Sequence, residues 1–229
     1  MCGRYTLTTD PQALAERFQV SLEGLELRPR YNVAPSQPVL AVVWEGGRRR
    51  ARLLRWGLVP HWARDLLPRA RTVNARAETV DRRPAFRDAF RQRRCLVLAD
   101  GFYEWSRRDG RRRPYRVVLR SGEPFGMAGL WDVWRSPDGE AVATCAVVTT
   151  EANETVASIH HRMPVILPQE AEGRWLDPRT DASTLRGLMV PYPAEAMRAY
   201  PVSGRVNSVE NDDPDCLRPI EAEGRLWSW

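Results

Sequence analysis

The sequence contains no lysine. All 35 basic residues are arginine, so no side chain carries an amine, and the only primary amine in the chain is at its N-terminus. A genome biased toward GC-rich codons accounts for such a composition, but the chemical consequence holds whatever its origin. Cysteine is sparse too. Cys2, Cys95, Cys145 and Cys216 are scattered without CxxC spacing, which points to free thiols in a reducing compartment rather than a zinc site or a disulfide framework. No apolar run approaches the roughly 18–20 residues of a membrane span. The opening MCGRYTLTTDPQ has no apolar core or cleavage pattern of a secretion signal, so a cytoplasmic protein without a membrane partner is expected. No glycine-rich phosphate loop and no Gly-x-Ser-x-Gly elbow is found. Repeats and long linkers are missing as well, so one domain over residues 1–229 is expected.

What is present is a globular composition, 43% hydrophobic, with unevenly placed charge. Residues 48–120 hold 22 arginines against 7 acids, while the chain as a whole carries only +6. A basic segment of that density suggests a phosphate-binding face, and the planar arginine fork pairs with phosphate in two-pronged fashion.

Periodicity gives many short strands with helices between them. Thr9-Asp10-Pro11 reads as a helix start, with Leu14 and Phe18 on one face. Leu40–Trp44 and Arg52–Leu58 read as strands around a Gly46-Gly47 turn. A short helix is expected over Pro84–Arg94, then a buried strand Cys95–Ala99 ending at an Asp100-Gly101 turn. Further strands are expected at Tyr115–Leu119, Phe125–Leu130, Ala141–Thr149 and Met163–Leu167, with helices over Asn153–Ile159, Gln169–Leu176 and Ser183–Met189. The order lacks βαβ regularity. The fold class expected is α+β, a single barrel-like domain built on antiparallel sheet with short flanking helices.

Four segments carry possible chemistry. Methionine aminopeptidase removes an initiator that precedes a small residue, and Cys2 then becomes a 1,2-aminothiol. Its amine (pKa about 8) and thiol (about 8.5) both have useful free-base populations near neutrality, unlike a lysine at about 10.4. The amine condenses with an aldehyde to an imine, and the thiol closes on the imine carbon to a five-membered thiazolidine. In Thr72–Thr79, Asn74 and Arg76 lie on one side if the segment is extended. In Ala99–Trp105, Glu104 sits among aromatics, where an apolar setting raises a carboxyl pKa. In Ser158–Pro164, two of the three histidines, His160 and His161, precede Arg162, and histidine is the natural proton shuttle. Each segment alone also has an ordinary structural explanation: a turn asparagine, a solvent-facing glutamate, a surface histidine pair. A metal site is disfavoured, since His160 and His161 should point apart and no second ligand pair lies at zinc spacing.

Together these segments resemble the SRAP family, the abasic-site processing proteins. The resemblance rests on MCGRY, RYNVAPSQ at 30–37, WGLVPHW at 56–62, NARAET at 74–79, RRCLVLADGFYEW at 93–105, AGLWDVW at 128–134 and IHHRMPVIL at 159–167, in that order. It implies Cys2, Asn74, Glu104 and His160 as catalytic residues, with His161 a bystander. It also implies covalent capture of abasic sites in single-stranded DNA by a monomer, without metal or cofactor, associated with the nucleoid when bound to damaged DNA. Arg76 and Arg162, more weakly Arg4, would hold phosphates. Trp62 would stack on a base, as would Phe102 or Trp105 unless they belong to the core, where Trp56 is expected. Thr149 would touch the DNA backbone by resemblance alone. Departures are extra arginines at 107–113 and a tryptophan-rich C-terminus. Two rival expectations are an N-terminal-nucleophile autopeptidase that removes Met1 and a non-enzymatic binder of single strands or RNA.

Overall fold

The computed structural model describes residues 3–66, 72–106 and 112–220; Cys2 lies outside them. Four apolar stretches and one arginine-rich one form a closed five-stranded barrel. Its staves are β3 (Pro38–Glu45), β4 (Arg48–Trp56), β6 (Arg94–Ala99), β9 (Phe125–Arg135) and β10 (Ala141–Glu151). They pair in the order β10-β4-β3-β6-β9, and β9–β10 pairing closes the ring. Gly46 and Gly47 both have positive φ, 58° and 76°, as the two-residue turn joining β3 to β4 requires. β4 turns Leu54 and Trp56 inward. Every residue of β6 is buried, because a second sheet covers it.

That second sheet contains β1 (Tyr5–Leu7), β2 (Arg30–Val33), β7 (Gly101–Ser106), β8 (Arg113–Leu119) and β13 (Met197–Pro201), ordered β13-β8-β7-β1-β2. The chain crosses from barrel to second sheet at Asp100. Its buried carboxylate accepts bonds from the Thr8 and Thr9 backbone N–H groups, from Thr6 Oγ1 at 2.5 Å and from Arg116 at 3.1 Å. A Cβ on Gly101 would lie 2.8 Å from Arg116 Nε and 3.0 Å from Thr6 Oγ1, so only glycine fits at the crossing. The expected Asp100-Gly101 turn is therefore a change of sheet, and the residues beyond it form a strand buried on both faces.

The helices are short: α1 (Pro11–Phe18), α2 (Arg87–Gln92), α3 (Glu154–Ala157), α4 (Gln169–Leu176) and α5 (Ala182–Leu188). Asp10 caps α1 by accepting from Gln12 and Ala13 N–H, with Pro11 at the first helical position and Leu14 and Phe18 buried. α2 is shorter than the expected 84–94, since Arg94 already belongs to β6. The expected strand at 163–167 is two, β11 (Arg162–Pro164) and β12 (Ile166–Leu167). The sheet is also mixed rather than purely antiparallel: β10 runs parallel to β4 and to β5 (Asn74–Arg76). Residues 204–217 lie across β2, where Asp212 accepts from Tyr31 and Asn32 N–H. Buried Asn32 reaches the carbonyls of Val206, Ser208 and Asn211 in return. Among the described residues no helix is long and apolar enough to cross a membrane.

Candidate active site

Alternation along β7 divides its side chains between two environments. Phe102 packs in the main core. Tyr103 and Trp105 join a smaller cluster with Val202, Val206 and Cys216. Glu104 lies between them, 2% exposed. Its Oε1 is buried with no hydrogen-bond partner among the described residues, and Oε2 is 3.9 Å from His160 Nδ1. Burial pushes the carboxyl up to about 7, against the lowering influence of the Trp105 backbone and the Arg112 charge. The group therefore exchanges a proton near neutrality.

His160 arrives from the opposite end of the sequence. Asn153 caps α3 through Val156 N–H, and the turn that follows bonds His160 N–H to Val156 O at 2.9 Å. The imidazole Nδ1 lies 3.0 Å from Arg162 N and 3.1 Å from Arg162 O, which fixes the ring. The chain here is neither helical nor extended, so the two histidines do not point apart as expected. Their rings lie 4.4 Å apart at 33°. Among the described residues no group of three or more potential metal ligands forms.

Glu104 and His160 share an open cleft of about 540 Å³ with Gly3, Arg4, Trp105 and Arg112. Trp105 is fixed by Nε1 donating to Asn207 Oδ1 at 2.7 Å. Arg112 lies 4.7 Å from its ring and Arg4 5.9 Å. Arg4 is tied to Asn32 Oδ1 and Val206 O, both at 2.8 Å, so it joins the wall of the cleft to the C-terminal segment. Arg112, exposed and at the rim, is a residue the sequence reading did not single out. The arginine run at 111–113 was its only signal, and the start of β8 at Arg113 decides which arginine faces the cleft. Another cleft, of about 440 Å³, is lined chiefly by Leu7, Leu14, Leu27, Val33 and Leu40 and contains no histidine or cysteine.

Asn74, Arg76, Thr149 and Arg162 gather along the end of β10. Asn74 and Arg76 pair with Val147 and Thr149, with Arg76 exposed. On β11, Arg162 pairs with Glu151 and donates to Thr149 O at 2.6 Å. Both Arg162 and Thr149 are buried, 8% and 1% exposed, and the Arg162 guanidinium is held by Glu78. Trp62 stands on the loop that follows β4. It is 55% exposed, and its loop is anchored by Val59 N–H to Thr144 and His61 N–H to Asp132. Thr144 precedes Thr149 by five residues of strand, about 17 Å. Phe102 and Trp56 are core residues at 0% exposure. Cys95 and Cys145 are fully buried, and burial drives both thiols far up, which removes them as nucleophiles.

Known proteins are similar to the chain over most of its length. The family described as SOS response associated peptidase (SRAP) matches residues 1–209. Abasic site processing protein YoqW of Bacillus subtilis (strain 168) is 43% identical over 221 residues, covering 95% of this chain and 99% of its own. Abasic site processing protein HMCES of Gallus gallus is 38% identical, covering 85% and 67%. A solved structure from Bacteroides thetaiotaomicron superposes with a TM-score of 0.89 at 27% identity, covering 96% of this chain and 100% of its own. The chain therefore belongs to the SRAP family.

Proposed function

We propose that this protein captures abasic sites in single-stranded DNA by forming a thiazolidine between Cys2, freed by loss of Met1, and the ring-opened deoxyribose. One observation carries the reading: a buried carboxyl titrating near 7 faces a histidine in an open cleft whose rim includes Gly3. Cys2 is bonded to Gly3 in the chain, and in this reading its aminothiol reaches that pair. The relatives' printed name, abasic site processing protein, supports an abasic site as the substrate.

In this reading His160 protonates the sugar ring oxygen while the C1′ hydroxyl loses its proton to water, so the ring C1′–O bond breaks and the aldehyde opens. The Cys2 amine adds to C1′ and sheds a proton to Glu104, while the former carbonyl oxygen takes up a proton from water. Protonation of the resulting carbinolamine hydroxyl expels one water and leaves the iminium ion. The Cys2 thiolate then adds to the iminium carbon as the C=N electron pair returns to nitrogen, closing the ring. Asn74 orients the sugar, and Arg76, with Arg162 and Thr149 beside it, holds a flanking phosphate. Arg4 braces the cleft wall, and Trp62 stacks on the strand away from the lesion. Where closure lags, the imine acidifies C2′; loss of that proton expels the 3′ phosphate and cuts the strand, a lyase side activity. The protein acts as a monomer and shields the lesion.

Intact-mass analysis before and after mixing with an abasic oligonucleotide tests the reading. The expected masses are the chain without Met1, and its sum with the oligonucleotide less one water. Cys2→Ala should lose the heat-stable adduct yet still nick through its amine. Heat-stable adducts from Cys2→Ala at the parent's level, or normal labelling by a chain that keeps Met1, would refute it. The family's description favours a second activity at the same cleft, self-removal of Met1. Made without aminopeptidase, the parent would then lose Met1 and Glu104→Ala would keep it.

A further inference from the structure

Arg162 is a buried arginine whose only acidic partner among the described residues is an exposed one. Its NH1 donates to Glu78 Oε1 and its NH2 to Oε2 at 3.1 Å. The two sides of the pair differ sharply in exposure, 9% for the Arg162 side chain against 47% for Glu78. Behind the guanidinium lie Thr149 O and Oγ1. Beside it Arg76 is exposed on β5, and the Arg162 hydrogen bond, with the Arg162 and Arg76 charges, holds the Glu78 carboxyl below its usual range. A carboxylate gripped by both arms of a guanidinium offers the same two oxygens that a phosphodiester offers.

We infer that Glu78 is an internal stand-in for a strand phosphate, which single-stranded DNA displaces from Arg162. The inference rests on the reading of this face as the DNA site. The asymmetry of exposure gives the exchange its direction. Glu78 rehydrates at little cost when it swings out, whereas Arg162 cannot be left buried without an anion. The pair thus keeps Arg162 satisfied in the free protein and yields only to an incoming phosphate. Glu78 sets how tightly the strand is held without touching it, so it is a positioning residue.

The test is fluorescence anisotropy with a labelled intact single strand, which reads non-covalent binding alone, together with melting temperature. Glu78→Gln should bind about fivefold tighter, the equivalent of the roughly 1 kcal/mol that a partly exposed ion pair is worth, and should melt lower. An ion pair needed only for folding predicts lower melting with unchanged or weaker binding, and that result would overturn the inference. Loss of an acid also raises DNA affinity through the general field, so two comparisons isolate the exchange. Asp81→Asn removes a nearby acid that pairs with Arg82 and Arg186 instead, and should gain much less. In an Arg162→Lys background, Glu78→Gln should gain little. Equal gains in either comparison would also overturn it. If the parent cross-links abasic strands normally while Glu78→Gln binds no tighter, the exchange alone is wrong. If the parent retains no strand at all, the DNA reading falls with it.

Discussion

At the residue scale, Glu104 is the most informative group because its environment sets both its chemistry and its cost. Burial raises the carboxyl to about 7, so the folded chain holds that proton more tightly than the unfolded chain, whose glutamate titrates near 4.3. Its contribution to stability is therefore full below about pH 4.3 and lost as pH rises through about 7. Glu104→Gln is neutral at every pH and escapes that loss. It should be more stable than the parent by about 3–4 kcal/mol near pH 8 and nearly equal near pH 4, as denaturant titrations at the two pH values would show. Its rate of adduct formation should fall about a hundredfold. Protonation of the Cys2 amine lowers the rate below about pH 8 in both proteins; the parent's rate should fall more steeply still below about 7, and the variant should lack that added steepness. A variant that is less stable near pH 8 yet reacts normally would contradict both arguments.

At the element scale, the short helices depend on side chains from elsewhere to finish them. Arg94, 2% exposed, opens β6 and donates to the carbonyls of Phe90 and Arg91 at the end of α2 and of Trp175 and Asp177 at the end of α4. A guanidinium there faces two helix C-termini, where a cation is favoured; burial lowers its pKa, opposed by the charge of Asp177. Arg94→Ala would leave four carbonyls without their donor, those of Phe90 and Trp175 buried, so a loss of about 3 kcal/mol is expected, measurable as a lower denaturation midpoint. The change should leave DNA affinity of the folded fraction unaltered. A loss below about 1 kcal/mol would mean that water replaces the guanidinium at these helix ends.

At the scale of the whole molecule, an arginine-rich middle is folded against an acid-rich remainder. Several arginines of the 48–120 segment are consumed internally: Arg52 by Glu45, Arg93 by Asp132, Arg116 by Asp100. Counting arginines therefore overstates the phosphate-binding face. If two or three phosphates are contacted near Arg76 and Arg162, log K for an intact single strand should fall with log salt at a slope of about −1.4 to −2.1. A slope near −7 would instead show the basic segment acting as a whole. Anisotropy titrations across a salt series decide between them.

Much of this protein could be read along the chain. The absence of lysine left one amine, and the order of seven short motifs pointed to one family. The Asp10-Pro11 start of α1, the Gly46-Gly47 turn and α4 over 169–176 follow from local chemistry: a cap, positive φ, a 3.6-residue period. What local chemistry could not give was pairing between distant segments. β7 read as the residues beyond a turn, because only the second sheet makes both of its faces interior. β1 and β5, three residues each, are too short for any periodicity, and exist because β7 and β10 offer them edges. The distance from Glu104 to His160, the covering of Arg162 by Glu78 and the seating of Trp105 on Asn207 all join residues tens to a hundred positions apart. Residue types and their order are written in the chain, but burial and proximity are properties of the closed barrel, and those two quantities turn a glutamate into an acid that titrates near neutrality.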